Sequence, residues 1–307
     1  MRSAYWAAFV VCLLAGRAAA RDIFVDNIAG DDKNTGLHAR GVSDLTGPVR
    51  TIAKALRLSE AGDRVSLAKN DEPYHECVSL LGTRHSSFAQ MMPFVIEGNG
   101  ATLDGSSPIP RDGWTHYRGD IFSFRPKTLT QAVLFAQGRA IAPLPLAQGT
   151  AFPPRLEAGQ WCALEGAIYF AVDRQKLPPD YRLSYAELPT GISLYRVQQV
   201  LIRNLTIKGY QADGVSAAAG AREVVLRNVT CTANGQRGVC VGGAAQVTLD
   251  GCKLFGNGES QLMTSANSET HLSSSELSGD TAPGWADQGG RVYLGAKRIS
   301  GGMKEMK

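Results

Sequence analysis

The chain has 307 residues, 32 Lys+Arg against 28 Asp+Glu, a formal net charge of +4 at pH 7, and 44% hydrophobic residues. That balance is globular and lacks the concentrated basic charge of a nucleic-acid footprint, so no nucleic-acid partner is expected. Beyond residue 20 no segment is apolar enough to span a bilayer, so no transmembrane span is expected either.

Residues 1–20 carry Arg2, an apolar run from Ala4 to Ala15, and an Ala18-Ala19-Ala20 ending. This is the pattern of a signal peptide, too short for a spanning helix. Cleavage near Ala20 is expected, which places the mature chain outside the cell, in a periplasm or at a cell surface; the alternative is an uncleaved anchor. No Cys follows the run, which argues against a bacterial lipid anchor. Removing Arg2 and Arg17 takes Lys+Arg from 32 to 30 against 28 acidic residues, near neutrality. The cysteines beyond the leader are Cys77, Cys162, Cys231, Cys240 and Cys252. Odd in number and irregularly spaced, they are no disulfide framework; Cys231 and Cys252, which fall on apolar rows, read as small buried hydrophobes. No CxxC or HxxxH spacing suggests zinc.

Next in chain order, residues 22–27 (DIFVDN) read as a first strand, followed by the polar loop Gly30–Gly36. Its Asp31, Asp32 and Asn34 could hold Ca²⁺ through oxygens. The spacing and terminal Glu of an EF-hand are missing, so the preferred reading is a hydrogen-bonded turn, and no cofactor is expected. Gly47-Pro48 opens a helix running to about Glu60, with Val49, Ile52, Ala55 and Leu56 on one face and Gly62 at the stop. Strand-like runs follow at Arg64–Ala68, Glu76–Leu81 and Phe94–Gly105, the last bent at Gly98-Asn99-Gly100. From about Pro108 to Gly191 the pattern breaks. Trp161–Leu164 and Ala167–Phe170 flank Glu165-Gly166 as a hairpin would, so 108–191 reads as an inserted β subdomain.

The last third is the most ordered. Val200–Ile207, Val224–Cys231, Val247–Leu254 and Thr270–Leu277 align at spacings of 23 or 24 residues. Apolar residues fall in rows: Ile202, Leu226, Leu249, Leu272; Ile207, Cys231, Leu254, Leu277; and Val215, Val239, Leu262, Trp285. A fixed period of this size built on β-branched runs means a solenoid of stacked strands. Asn204, Asn228, Gly251 and Ser274 sit between two of the rows, where a sharp bend needs a residue tolerant of left-handed backbone. Asn204 and Asn228 lie in the sequons Asn204-Leu205-Thr206 and Asn228-Val229-Thr230, but corner duty accounts for them, and they should begin an amide ladder.

The stretches FVDNIAGDDKNTGL, GPVRTIAKAL, AGDRVSL, YHECVSL and FVIEGNGATLDG, with the 23-residue coils, resemble secreted proteins of the pectin-lyase-like superfamily. The resemblance implies an all-β, right-handed parallel β-helix of about seven three-strand coils. Its parts would be an N-terminal portion with a cap helix over 21–107, the insertion over 108–191, and C-terminal coils over 192–307. The insertion is similar to an extra β module of some carbohydrate-active β-helices. The implied partner is a polysaccharide, bound or cleaved by a chain that is expected to be a monomer; the rival is a non-catalytic surface or matrix module.

In this superfamily chemistry usually lies on the strand called PB1 and its flanking turns, here Asp213–Ala217, Arg237–Val241, Ser260–Thr264 and Pro283–Asp287. Alternation around the inward Val215, Val239, Leu262 and Trp285 places Gly214, Gly238, Gln261 and Gly284 on one outward row, with Ser216, Cys240, Met263 and Ala286 on the other. Neither the NTD, DD, GHG and RIK motifs of polygalacturonase-like families nor the recurrent Asp cluster of pectate-lyase-like families is present. What remains is Asp213 and Arg237, at equal positions of successive coils, with Glu259 one residue before the matching place in the next coil. These three are the candidate catalytic residues of a lyase or hydrolase, and Tyr210, Gln261 and Trp161 the candidate substrate contacts. The alternative for the pair is a structural salt bridge. His75 and His271 read as structural.

Overall fold

The computed structural model describes residues 20–41, 43, 45–87, 92–304 and 306. The expected signal peptide lies outside the described residues except for Ala20. The chain is a right-handed parallel β-helix, and its periodic rows explain why. In-register parallel pairing joins Ile202 to Leu226, Leu226 to Leu249 and Leu249 to Leu272. It likewise joins Ile207, Cys231, Leu254 and Leu277, and Val215, Val239, Leu262 and Trp285. All twelve side chains belong to one continuous buried core.

Each coil contributes a strand to a six-stranded parallel sheet, made of Val78–Leu81, Ile192–Tyr195, Val215–Ala218, Arg237–Val241, Ser260–Ser265 and Trp285–Gln288. The rest of each coil joins a longer sheet that wraps the other sides. There Phe94–Asp104, Gln198–Lys208 and Arg222–Thr232 each run through a corner without losing strand character. The corner residues Asn204, Asn228, Gly251 and Ser274 have φ of 55°, 51°, 63° and 47°. This is the left-handed region, which Asn and Gly enter at least cost. The Asn228 amide donates to Asn204 Oδ1 at 3.2 Å, and the Asn204 amide to Glu97 Oε1 at 2.9 Å. Burial opposes ionisation of Glu97, yet Asn204, the Asn99 N–H and Arg203 together hold its carboxyl below the usual range.

The insertion leaves the helix uninterrupted. Ile192–Tyr195 pairs directly with Val78–Leu81, and Gln198–Lys208 with Phe94–Asp104. Between them, Ser106–Ala186 forms two four-stranded antiparallel sheets with their own apolar clusters, around Trp161, Ile168 and Phe170 and around Ile121, Cys162 and Ala171. Trp161–Leu164 and Ala167–Ala171 form a hairpin across left-handed Glu165 and Gly166. Gly105 ties the two roots together: its carbonyl accepts from the N–H groups of Glu187 and Leu188, and its own N–H donates to Lys208 O.

The N-terminal helix is shorter than its apolar pattern suggests, spanning Ile52–Leu58. Thr51 is the N-cap, its hydroxyl accepting from Lys54 N–H, while Val49 sits in a β-bridge with Val25. The start is fixed by acceptors rather than by Pro48. Asp32 Oδ1 takes the Arg50 and Thr51 N–H groups, and the Glu76 carboxylate takes those of Ile52 and Ala53. The helix packs against the first three strands of the solenoid. At the other end Met303 and Met306 bridge antiparallel to Trp285 and Leu277, covering part of the last coil's edge.

Leu249 lies in the middle of its row, fully buried. Leu249→Ala should destabilise the protein by about 2–5 kcal/mol, read as a lowered midpoint of chemical unfolding. A loss below about 1 kcal/mol would mean that the row is not a close-packed stack.

Candidate functional site

The turn leading into the six-stranded sheet is where polar side chains collect. Its inner side is polar as well. Asn234 and Asn257 are buried one coil apart. Asn257 Oδ1 accepts from the Asn234 N–H and amide, and Asn234 Oδ1 accepts from the Tyr210 N–H. Gly214 and Gly238 face this ladder, not solvent. A Cβ on Gly214 would meet the Asn234 amide at 2.9 Å, and one on Gly238 the Asn257 amide at 2.8 Å.

Three expected substrate contacts are therefore corrected. Gln261 continues the glycine row and points inward, fully buried; its Oε1 accepts from the Asn257 amide at 2.7 Å. Tyr210 is buried with its hydroxyl donating to Glu76 O at 2.7 Å. Trp161 is 1% exposed in the core of the insertion, its indole N–H donating to Ile141 O. None presents a surface to a ligand. For Gln261 the physical reason is one of phase: it and Leu262 both face inward, so outward alternation begins only at the row Ser79, Ser193, Ser216, Cys240, Met263, Ala286; Tyr210 and Trp161 are simply core aromatics.

The candidate catalytic residues do converge. Arg237 Nε lies 3.0 Å from Asp213 Oδ1 and 3.8 Å from Glu259 Oε2. The side chains of Asp213, Arg237 and Glu259 are 9%, 21% and 50% exposed. Gln236 Oε1 accepts from the guanidinium at 2.7 Å, and the Cys240 thiol lies 3.7 Å from Arg237 Nη1. The Asp213–Arg237 contact is an ion pair without a hydrogen bond: Asp213 Oδ1 and Arg237 Nε are both buried and neither has a hydrogen-bond partner. This decides the sign of the Asp213 shift. Burial pushes its carboxyl above the usual range, outweighing Arg237 and Ser216, while the nearby Glu259 charge pushes the same way. Burial also drives the Cys240 thiol up to about 11, so it is no thiolate nucleophile.

The insertion stands beside this turn. Gln211, buried two residues before Asp213, uses its whole amide. Oε1 accepts from the Thr130 N–H and hydroxyl at 2.8 and 2.9 Å, and Nε2 donates to Thr128 O and Glu187 O. Gln131 packs on Gly235, whose neighbour Gln236 holds Arg237; a Cβ on Gly235 would lie 2.9 Å from Gln131 Cγ. Thr130 and Gln131 also line a cavity of about 320 Å³ in the insertion. Gln211, Gln236, Ser216 and Cys240 carry no motif. Gln236 and Cys240 lie one and three residues from Arg237 along the chain, and coil spacing places Ser216 beside Cys240.

Among the described residues, no three His, Cys, Asp or Glu side chains are grouped to hold a metal ion. The Asp32 carboxylate accepts from Arg50 and Thr51 at the start of the helix, and Asp31 Oδ1 accepts from the Lys33 N–H within the loop. The described residues contain no helix long and apolar enough to cross a membrane.

A family model described as a right handed beta helix region matches residues 190–287. No curated protein matches the sequence. Among solved structures the chain is similar to the complex of XylC with xylose, at 10% identity, covering 92% of this chain and 73% of that one with a TM-score of 0.42. It is also similar to a GH136 lacto-N-biosidase from Eubacterium ramulus, at 12% identity and a TM-score of 0.26. That match covers 82% of this chain but 34% of the biosidase.

A carboxyl whose folded pKa is raised stabilises the fold below its unfolded pKa, and that contribution is lost as pH rises through the folded value. The wild type should therefore lose stability relative to Asp213→Asn as pH climbs from about 4, the unfolded Asp value, through the raised one. Paired thermal melts across that window check this. A wild type that gains on the variant with rising pH would show that Arg237 dominates instead.

Proposed function

We propose that the chain is a secreted carbohydrate-active protein of the pectin-lyase-like type, which hydrolyses a polysaccharide on the ridge between the six-stranded sheet and the insertion. The observation that supports this reading is a guanidinium within 4 Å of two carboxylates in contrasting surroundings. Asp213 is buried and inclined to keep its proton; Glu259 stands half in solvent. Hydrolysis of a glycosidic bond uses such a pair, one carboxylic acid protonating the leaving oxygen and one carboxylate activating water or attacking the sugar. Asp213 takes the acid role and Glu259 the other.

Arg237 positions the pair and balances its charge. A guanidinium does not give up its proton in a protein, which makes it a poor base for β-elimination and favours hydrolysis over a lyase reaction. The smooth outer row of Ser193, Ser216, Cys240, Met263 and Ala286 supplies a floor for an extended polymer. The same smoothness supports a second reading, a module that binds a polysaccharide without cutting it.

A polysaccharide panel separates these readings. Hydrolysis yields new reducing ends without ultraviolet absorbance, and Asp213→Asn and Glu259→Gln should each lower that rate by about 10²-fold or more. Rising absorbance would instead mean elimination. Retained binding with no cleavage would assign the binding module, and neither binding nor cleavage would remove the carbohydrate reading.

A further inference from the structure

A second cluster of reactive side chains lies at the joint between the solenoid and the insertion. Three segments far apart in sequence bring it together: His75 from the loop before Val78–Leu81, Ser107 from the first strand of the insertion, and Glu187 just after its last strand. Ser107 Oγ lies 3.3 Å from His75 Nε2 and donates to Glu187 Oε2; His75 Nε2 and Glu187 Oε2 are 3.2 Å apart. His75 Nδ1 lies 2.8 Å from the carbonyl oxygen of Asp104. A carbonyl only accepts, so Nδ1 carries the proton. Tyr185 donates to the other oxygen of Glu187 at 3.3 Å. Ser107 most of all, with His75 and Tyr185, holds the Glu187 carboxyl below its usual range, although burial opposes them. The His75 and Glu187 side chains are 41% and 43% exposed, so the cluster faces solvent.

From this arrangement we infer a hydrolytic site for carboxylic esters, with Ser107 as nucleophile and His75 as general base. A nucleophile within reach of a base, and a base oriented by a third group, is the arrangement that covalent catalysis needs. The Asp104 carbonyl fixes the proton on Nδ1, and Nε2 faces both Ser107 Oγ and the Glu187 carboxylate, so the hydroxyl proton that rests on Glu187 turns to Nε2 before attack. The serine proton passes from Oγ to Nε2 as Oγ bonds to the acyl carbon. The ester C–O bond then breaks, and the proton goes to the departing alkoxide, releasing an alcohol. Water repeats the sequence on the acyl-serine: its proton goes to Nε2, the Oγ–C bond breaks, Ser107 recovers a proton and the carboxylic acid leaves. Glu187, beside Nε2, stabilises each transient imidazolium. Ser107 is held at this spot by pairing with Tyr185 across adjacent antiparallel strands. The open setting suits a small acyl group on a large alcohol such as a hydroxylated polymer.

The test uses p-nitrophenyl acetate and a fluorophosphonate on the full protein, neither of which needs glycosidic cleavage, so its outcome is independent of the polysaccharide assay. Saturable hydrolysis and phosphonylation mapped to Ser107 are expected. Ser107→Ala should remove the label and lower kcat/KM by about 10²-fold or more. His75→Gln should lower kcat with less change in KM. Circular dichroism and a thermal midpoint show whether each variant is folded; should Ser107→Ala not fold, the mapped label on the wild type decides. Hydrolysis no faster than free imidazole, a label elsewhere, or a folded Ser107→Ala that keeps more than half the rate would overturn the assignment.

Discussion

In-register stacking of the coils is the constraint on which the rest of the structure depends. Each residue of a coil has its equivalent about 4.8 Å away in the next, so whatever occupies one position meets its own kind along the solenoid. Apolar rows then become continuous buried stacks, as at Ile202, Leu226, Leu249 and Leu272. A charge in such a row would meet a like charge unless the sequence alternates. On the outer face Glu97, Arg203, Arg227 and Asp250 form one row in which Arg203 and Arg227 do meet, and each turns to the acidic residue on its other side, Arg203 to Glu97 and Arg227 to Asp250.

Stacking also dictates the treatment of the corners. A corner N–H or carbonyl turned inward has no water to bond. The inner turn answers this with Asn234 and Asn257, which bond to each other and to backbone, and with glycines opposite them that leave room for the amides. Where the glycine row ends, Gln261 fills the space and meets Asn257 itself. The residue types alternate between two solutions to one problem: remove the side chain, or supply one that completes the ladder. Ser260 and Thr270 are buried hydroxyls with no partner, and the structure offers no account of them.

This explains what was legible in the sequence and what was not. The three apolar rows and the four left-handed corners were readable because the period repeats them, and the structure shows them in register. The direction of Gln261 was not, since strict alternation was carried one residue too far into the turn, where two successive side chains point inward. The helix start misled for a related reason: Pro48 looked like an opening, but Asp32 and Glu76, distant in sequence, hold the N–H groups that define it. Arg237 between Asp213 and Glu259 followed from coil spacing alone. The join of His75, Ser107 and Glu187 did not, because it depends on where an aperiodic insertion leaves and re-enters the coil.

The insertion leaves and returns at Gly105 and Leu188, and its Thr128–Gln131 segment lies against Gln211 and Gly235. All of these are on the turn ridge before the six-stranded sheet. The apolar rows of the strands are buried in one core and face no ligand. Where the insertion stands on the ridge, its side chains and those of the coils converge on shared polar groups. There, segments remote in sequence meet, buried and solvated carboxylates lie within a few ångströms of one guanidinium, and a serine and histidine share one carboxylate. Both clusters of reactive side chains thus lie where the insertion breaks the period of the solenoid.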